Sequence, residues 1–402
     1  MIIYDNIHGY INIDELASSI IETPIFQRLR NIHQTGVLYL VFPTACHSRF
    51  EHSIGTYYLS KLMITNIKNS NKELNISEEL ISLVSIAGLC HDLGHLLFSH
   101  LFDNEFIPNL EHYEQLKLLT DNIYHQNRST YLLKYLVIKY NINLNNDQLQ
   151  IINDLINPND YLLQYNKWND KYKIGTWIFQ IIANPINSID VDKFDYLTRD
   201  SYNIGLKLNF DYIKIINNAK VINNNICYSL KCSEDIYNMF FIRYRLHRQI
   251  YNHKKVKAIE ILIIKKLFEL EKKYIISEYL FNPEKMVNLI DSFIYYDENI
   301  SNNNILNTLN TENIPKMIYQ NISLNEISKE NEKEIVNKLE LLDKSYKIIK
   351  YKVGYCNDNI NPFNNIIFYN IKDNTLVKNS SNDFSLLINQ EYQEYFFRIY
   401  TF

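Results

Sequence analysis

Six of the eleven histidines of this chain fall between His47 and His112. Imidazole is both a metal ligand and a proton carrier near neutral pH, so that density invites either chemistry. Within the stretch, His91-Asp92-Leu93-Gly94-His95 stands at the end of an apolar run. If the helix continued, His91 and His95 would share a face at i, i+4 spacing. An adjacent His and Asp reach one cation only where the backbone bends, and Gly94 permits a bend. Imidazole nitrogen with carboxylate oxygen suits iron, manganese, zinc or nickel, with positions left open for water or substrate. Taken alone, the pair reads equally well as a polar helix face that carries histidines. Two distant segments add to it. Arg49-Phe50-Glu51-His52 offers an imidazole beside a guanidinium ahead of another helical run, and Ile189-Asp190-Val191-Asp192-Lys193-Phe194-Asp195-Tyr196 supplies carboxylates on what reads as a helix.

The elements that must position these groups are mostly helical. Ile76 to Leu89 places Leu80, Ile81, Val84 and Ala87 at helix spacing, with a helix start at Ser77. Ile236 to Leu270 reads as one long, poorly interrupted pattern with Tyr237, Phe240, Phe241, Tyr244 and Ile250 on its apolar side. Asn141–Asn146, Asn223–Asn225 and Asn302–Asn304 read as turns or exposed loops. Near the end, Tyr346–Tyr355, Asn365–Ile371 and Tyr395–Phe402 carry β-branched and aromatic residues between turn formers, and read as short strands. The fold expected is therefore mainly α. It has a helical catalytic domain over 1–275, then a helical linker region and a small α+β lobe over 276–402.

Composition excludes several classes. With 46% hydrophobic and 21% charged residues the chain is globular, and a net charge of -4 gives no global argument for nucleic-acid binding. The five cysteines make an odd count without a CxxC pair, so a reducing compartment and no disulfide framework are expected. No apolar run approaches the roughly 20 residues of a membrane span, and Met1 to Tyr10 lacks the basic start and apolar core of a signal peptide. An intracellular protein with no membrane partner is the expectation.

A histidine, then a His-Asp pair, then a distant aspartate resembles the pattern of the HD phosphohydrolase superfamily. The chain is similar in particular to the catalytic core of the SAM-and-HD-domain dNTP triphosphohydrolases, through "DNIHGYI", "TPIFQRLRNIHQTG", "FPTACHSRFEHSIG", "IAGLCHDLGHLLFSHLFD", "IDVDKFDYLTRDSYNIG", "RYRLHRQIYNHK" and the closing "FRIYTF". These stretches run in order over nearly the whole chain. The similarity begins almost at Met1, so no SAM domain is expected. The resemblance implies a metal held by His52, His91, Asp92 and Asp192, a divalent transition ion such as Fe, Mn or Zn, with Mg accompanying the nucleotide. It implies that His95 and His112 flank the α-phosphate and that Asp103 orients one of them. The family's His-Glu step is matched to His112-Tyr113-Glu114, which displaces the glutamate by one position. Arg49, Lys193, Arg243, His100 and Tyr196 would meet the triphosphate, Gln34 and Asp200 the 3′-hydroxyl, and Tyr196 and Tyr251 would crowd a ribose 2′-carbon. The implied reaction turns a dNTP into deoxynucleoside and inorganic triphosphate.

The resemblance also implies a homo-oligomer, a dimer or a tetramer, assembled with a guanine-nucleotide activator. Glu22, Gln27, Arg30, Lys220, Lys231, His253 and Lys254 match activator-binding positions. Met1, Ser229 and Gln320, however, stand where the family has basic residues. Each charge-assisted hydrogen bond to phosphate that is missing weakens binding by about 1.5–3 kcal/mol, so activation is expected to be weakened or rewired. Two alternative functions use the same residues. One is an HD phosphohydrolase or phosphodiesterase acting on another nucleotide or nucleic acid; the other is a nucleotide-binding regulator without turnover.

Overall fold

A computed structural model describes residues 1–158, 175–295, 314–339, 345–356, 361–378 and 391–402. The chain starts with a hairpin in which β1 (Ile2–Asp5) pairs antiparallel with β2 (Gly9–Asn12), Asp5 opposite Gly9. Helices α1 (Glu15–Ile21) and α2 (Pro24–Gln27) follow, capped by the side chains of Asp14 and Thr23. The central helix is α3 (Arg49–Ser70), whose start is fixed by Glu51 reaching back to the Ser48 amide at 2.6 Å. Phe50, Ile54, Tyr57, Leu59, Met63, Ile64 and Ile67 bury it on several faces.

Helix α4 (Glu78–Cys90) lies against α3, tied by the Thr56 hydroxyl donating to the Gly88 carbonyl at 2.8 Å. Its start at Ser77, which accepts from the Leu80 amide, matches the sequence expectation. Next come α5 (Tyr113–Leu119), α6 (His125–Lys139) and α7 (Asn146–Ile156). Helix α8 (Val191–Ile204) is capped by Asp190 and ends on Gly205 at φ 76°. It packs on α3 at Gly55, where a Cβ would lie 1.9 Å from Asp195 Oδ1. That close approach brings the α8 carboxylates beside His52.

Helix α9 (Tyr212–Asn217) precedes β3 (Ala219–Ile222) and β4 (Asn225–Ser229), joined through Asn223 and Asn224 at φ 49° and 59°. Two successive left-handed asparagines are what a tight hairpin turn requires. Asn141 is also left-handed and Asn145 caps α7; Asn302–Asn304 lies outside the described residues. The run from Ile236 to Leu270 is two helices, not one: α10 (Ser233–Arg245) passes through a wider, π-type turn at Leu246–Tyr251, and α11 (Lys254–Tyr274) starts anew. Arg398 from the last strand donates to the Asn252 carbonyl at 2.6 Å, and the Asn252 amide donates to the His247 carbonyl. Phe241 of the expected apolar face is 39% exposed.

Beyond α12 (Pro283–Met286), β5 (Lys316–Ser323), α13 (Lys329–Lys338) and β6 (Tyr346–Gly354) lead to β7 (Ile367–Tyr369), β8 (Leu376–Lys378) and β9 (Gln393–Thr401). Strand β9 lies between β5 and β6, antiparallel to both, while β7 runs parallel to β4 and extends the β3–β4 sheet. The three expected C-terminal strands are thus present. Phe363, Ile366 and Phe368 join the main core, whereas Val336, Phe397 and Ile399 form a small core of their own. The fold is a helical core with small sheets. Among the described residues no helix is long and apolar enough to cross a membrane.

Candidate metal centre and adjoining histidine cluster

His52 of α3, His91 and Asp92 just after α4, and Asp192 in the first turn of α8 converge. His52 Nε2 lies 3.1 Å from Asp192 Oδ1 and 3.4 Å from Asp92 Oδ2. His91 Nε2 lies 3.5 Å from Asp92 Oδ1 and 3.6 Å from Asp192 Oδ1. The far nitrogen of each ring is anchored, His52 Nδ1 to Asp195 Oδ2 at 2.7 Å and His91 Nδ1 to the Gly88 carbonyl at 2.8 Å. A proton on each Nδ1 leaves both Nε2 lone pairs facing the carboxylates, the arrangement usual for metal-binding histidines. Both Nε2 atoms are buried without a hydrogen-bond partner.

In the metal-free protein burial disfavours a charged His52, yet Asp192, Asp195 and Asp92 outweigh it and push its pKa up to about 10; a cation bound there would displace the Nε2 proton and free that lone pair. Burial likewise works against an ionised Asp192, but His52 and His91 hold it well below the usual carboxylate range. Asp92 is held low against its own burial by Arg49, His91 and His95. Two imidazoles with orphaned nitrogens facing two ionised carboxylates are the donor set that fits a divalent cation.

A second cluster shares Asp92. His95, fully buried, has Nε2 3.3 Å from Asp92 Oδ1 and Nδ1 3.3 Å from Asp103 Oδ2. His125, the first residue of α6, stacks on His95 with centroids 4.1 Å apart and presents Nδ1 to Asp103 Oδ2 at 3.5 Å. His100 stands edge-on to His95 at 4.8 Å. Arg128 takes the other oxygen of Asp103, and with His125 and His95 it keeps that carboxyl ionised despite burial. Burial, aided by His95, pushes His125 down to about 4, so it is neutral at pH 7 in the free protein.

The helix that precedes this site stops at Cys90, so His91 and His95 do not share a helix face as their spacing suggested. The 91–95 loop is held from outside. Arg28 donates to the carbonyls of Leu93 and His95, Arg128 to that of Gly94, and the Ser129 hydroxyl to that of His91. Burial and the nearby Arg128 lower Arg28 only to about 9, so the clamp stays charged. Gly94 serves close packing: a Cβ there would lie 2.1 Å from the His125 carbonyl oxygen and 2.4 Å from the Ser129 nitrogen. Both neighbours are backbone and cannot swing aside. Gly94→Ala is expected to cost about 1–3 kcal/mol of stability, read as a lower midpoint in urea denaturation, and to push α6, with His125, away from the 91–95 loop.

A sequence profile described as the HD domain matches residues 49–200, a span that includes all four candidate ligands, His95, Asp103 and His125. An HD-domain-containing protein of Acanthamoeba polyphaga mimivirus is 33% identical over 98% of this chain and 91% of its own length. This chain belongs to the HD-domain family. The deoxynucleoside triphosphate triphosphohydrolase SAMHD1 of Homo sapiens is 31% identical over 99% of the chain and 70% of its own length. Its homologue in Dictyostelium discoideum is 37% identical over 73% of the chain and 54% of that protein. The chain is thus an HD phosphohydrolase resembling the triphosphohydrolase branch.

His112 is not part of this HD centre. Its Nε2 meets the Ser277 hydroxyl at 3.1 Å, and that hydroxyl donates to Glu271. The imidazole beside His95 is His125, which the sequence reading missed. A signal was available: His125-Gln126 keeps the adjacency of the family's His-Glu step with a neutral residue of equal length, whereas His112-Tyr113-Glu114 breaks it.

The other expected substrate residues gather around this HD centre. Arg49 bridges Asp92 and the Ser99 hydroxyl. Lys193 holds Asp190 at 2.9 Å. Burial raises the Tyr196 phenol against the pull of Arg243 and Lys193, and burial with Asp200 and Tyr196 raises that of Tyr251, so these side chains lie within one another's fields. Arg243 also donates to the Gly354 carbonyl. Asp200 accepts from the Tyr251 hydroxyl and faces His47 Nε2 at 2.6 Å, while Gln34 is buried beside His47 through the Gln34 amide to His47 carbonyl bond. His47 was not singled out by the sequence; only the fold brings it to Asp200, which it steadies.

Of the expected activator residues, Glu22, Gln27 and Arg30 line a cavity of about 280 Å³ with Met1, Ile3 and Asp5. Arg30 donates to Gln27 at 2.8 Å and its guanidinium sits 3.5 Å over the Phe50 ring. Lys220, Lys231, His253 and Lys254 do not line it. Lys220 lies over the Tyr369 ring, His253 caps α11, and Lys231 and Lys254 are exposed.

Proposed function

We propose that this HD protein hydrolyses dNTPs to deoxynucleoside and inorganic triphosphate. The observation that carries the reading is the shared Asp92: a divalent-cation site and a buried imidazole–carboxylate cluster meet at one carboxylate, beside the Gln34–Asp200–Tyr251 group. The named activities of the SAMHD1 relatives support the substrate class.

His52, His91, Asp92 and Asp192 would hold the ion, for which Fe, Mn and Zn are the candidates, with Mg brought by the nucleotide. A bound ion supplies Lewis acidity toward the phosphoryl oxygens. The residues do the rest. Arg49, Lys193 and Arg243 would meet the triphosphate charge, which fixed cations stabilise at little reorganisation cost, and His100, kept neutral by burial and its cationic neighbours, would add a hydrogen bond. The arriving polyanion raises the pKa of His125, so that imidazole gains a proton and can deliver it to the 5′-oxygen as the bond from α-phosphorus breaks. A water oxygen replaces the 5′-oxygen on α-phosphorus and releases its proton to solvent, so triphosphate leaves whole. Asp103, pinned by Arg128, keeps His95 and His125 oriented. Asp200 and Gln34 would bind the 3′-hydroxyl, and Tyr196 and Tyr251 would exclude a 2′-hydroxyl.

The same reading takes the protein as an intracellular homo-oligomer, a dimer or a tetramer, with a catalytic domain over 1–275 and a linker and lobe over 276–402. Guanine-nucleotide activation is weakened or rewired. The test incubates Mn-loaded protein with each dNTP, each NTP and single-stranded RNA, and resolves the products. Deoxynucleoside and inorganic triphosphate from dNTPs are expected, with NTPs far slower and RNA intact. Mono- or diphosphate products would overturn the triphosphohydrolase reading, and the absence of turnover would favour a nucleotide-binding regulator.

A further inference from the structure

Asp195 is fully buried, and its two oxygens meet four nitrogens. Oδ2 faces the metal-site ligand His52 at 2.7 Å and accepts from Arg199 Nε at 2.8 Å. Oδ1 accepts from Arg199 Nη2 at 2.8 Å and faces His8 Nε2 at 2.7 Å. His8 belongs to the turn of the β1–β2 hairpin, far from the HD segment in sequence, yet its side chain is wholly buried. Its other ring nitrogen lies 3.1 Å from the Tyr212 hydroxyl. With the proton on Nε2, Tyr212 donates to His8 and His8 donates to Asp195, so every polar atom along this path is satisfied.

The hairpin sends a second arm to the same place. Asp5 Oδ1 accepts from the amides of Ile7 and His8 at 2.8 and 2.9 Å, which shapes the turn, and Asp5 Oδ2 accepts from Arg199 Nη1 at 2.8 Å. Asp195 is therefore gripped from the hairpin directly by His8 and indirectly through Asp5 and Arg199. Apolar packing alone would suffice to dock a hairpin. A buried imidazole set against the residue that orients a metal ligand, with a buried carboxylate holding that residue's arginine partner, points to a different purpose.

We propose that the N-terminal hairpin is an outer part of the HD centre, in which His8 is a positioning residue that sets metal affinity through Asp195 and His52. The inference rests on reading His52, His91, Asp92 and Asp192 as the metal site. Loss of a group that orients a metal-bound histidine costs about 10–100-fold in metal affinity or activity.

The test uses the full chain and Mn as probe, with dissociation constants from competition against a chelator and thermal midpoints of the metal-free protein. His8→Ala, one contact further out than the direct partner Asp195, is expected to weaken Mn binding by up to about tenfold, the low end of that range, and His8→Gln, which keeps a donor toward Asp195, to recover most of it. Tyr10→Ser, a change at a position of the same hairpin that is 76% exposed, leaves Mn affinity at the wild-type value. Should His8→Ala not fold, Tyr212→Phe frees the His8 ring with a milder change and is expected to weaken Mn binding several-fold. Wild-type Mn affinity in His8→Ala, or in Tyr212→Phe where that stands in, overturns the proposal, even if the metal-free midpoint falls. His91→Ala run in parallel separates the two readings. If it too binds Mn normally, the metal site itself is misassigned; if it alone loses Mn, only the role of the hairpin fails.

Discussion

His91→Ala is expected to lose the metal and the turnover together while the chain stays folded. His91 contributes one of two imidazole nitrogens aimed at Asp92 and Asp192, and its ring is already oriented by the Gly88 carbonyl. Without it, a cation would be left with His52 and two carboxylates, one of which is shared with Arg49. Lewis-acid stabilisation is worth several kcal/mol, so turnover should fall on the order of 1,000-fold or more, at about tenfold per 1.36 kcal/mol. Elemental analysis of the purified variant reads the metal, product assays read the turnover, and circular dichroism reads the fold. Chelator treatment of the wild-type protein should reproduce the loss, and added Mn should restore the wild type but not the variant. The metal-loaded wild type should also melt above its metal-free form, because a ligand bound only by the folded state stabilises it. Retention of metal and activity in His91→Ala would sink the assignment of the site.

The four candidate ligands, which the fold brings together, stand out in the chain because each sits in a short stretch of distinctive neighbours. The same holds for β6, β7 and β9, whose alternation and flanking turn residues are local properties, and for Asn223 and Asn224, whose tolerance of left-handed backbone is intrinsic. What failed was decided by distant partners. The i, i+4 relation of His91 and His95 assumed a continuing helix, but that backbone is shaped by Arg28 and Arg128 taking its carbonyls and by α6 pressed against Gly94. At the break between α10 and α11 the Asn252 carbonyl is taken by Arg398, 146 residues away. His8, His47 and Asp195 carry no local sign of the contacts they make: Asp195 meets the candidate ligand His52, His47 meets Asp200, and His8 reaches His52 only through Asp195.

The same distinction makes His125 and His112 a decisive pair. His125→Ala is expected to lower kcat about 100- to 10,000-fold, the range of a lost general acid or base, with the metal retained and KM little changed. The reason is positional: His125 shares Asp103 with His95 and stacks on it beside Asp92, yet it takes no part in the quartet. His112→Ala should instead leave kcat within a few-fold of wild type. It removes a hydrogen bond to Ser277, worth about 0.5–1.5 kcal/mol, whose hydroxyl remains engaged with Glu271. Single-turnover kinetics with saturating dNTP isolate the chemical step, and urea denaturation reads the change in stability. A severe kcat loss in His112→Ala together with near-normal turnover in His125→Ala would return the proton-transfer role to His112. That outcome would require α5 to move toward His95 when substrate binds, since in the free protein the place beside His95 is already filled by His125.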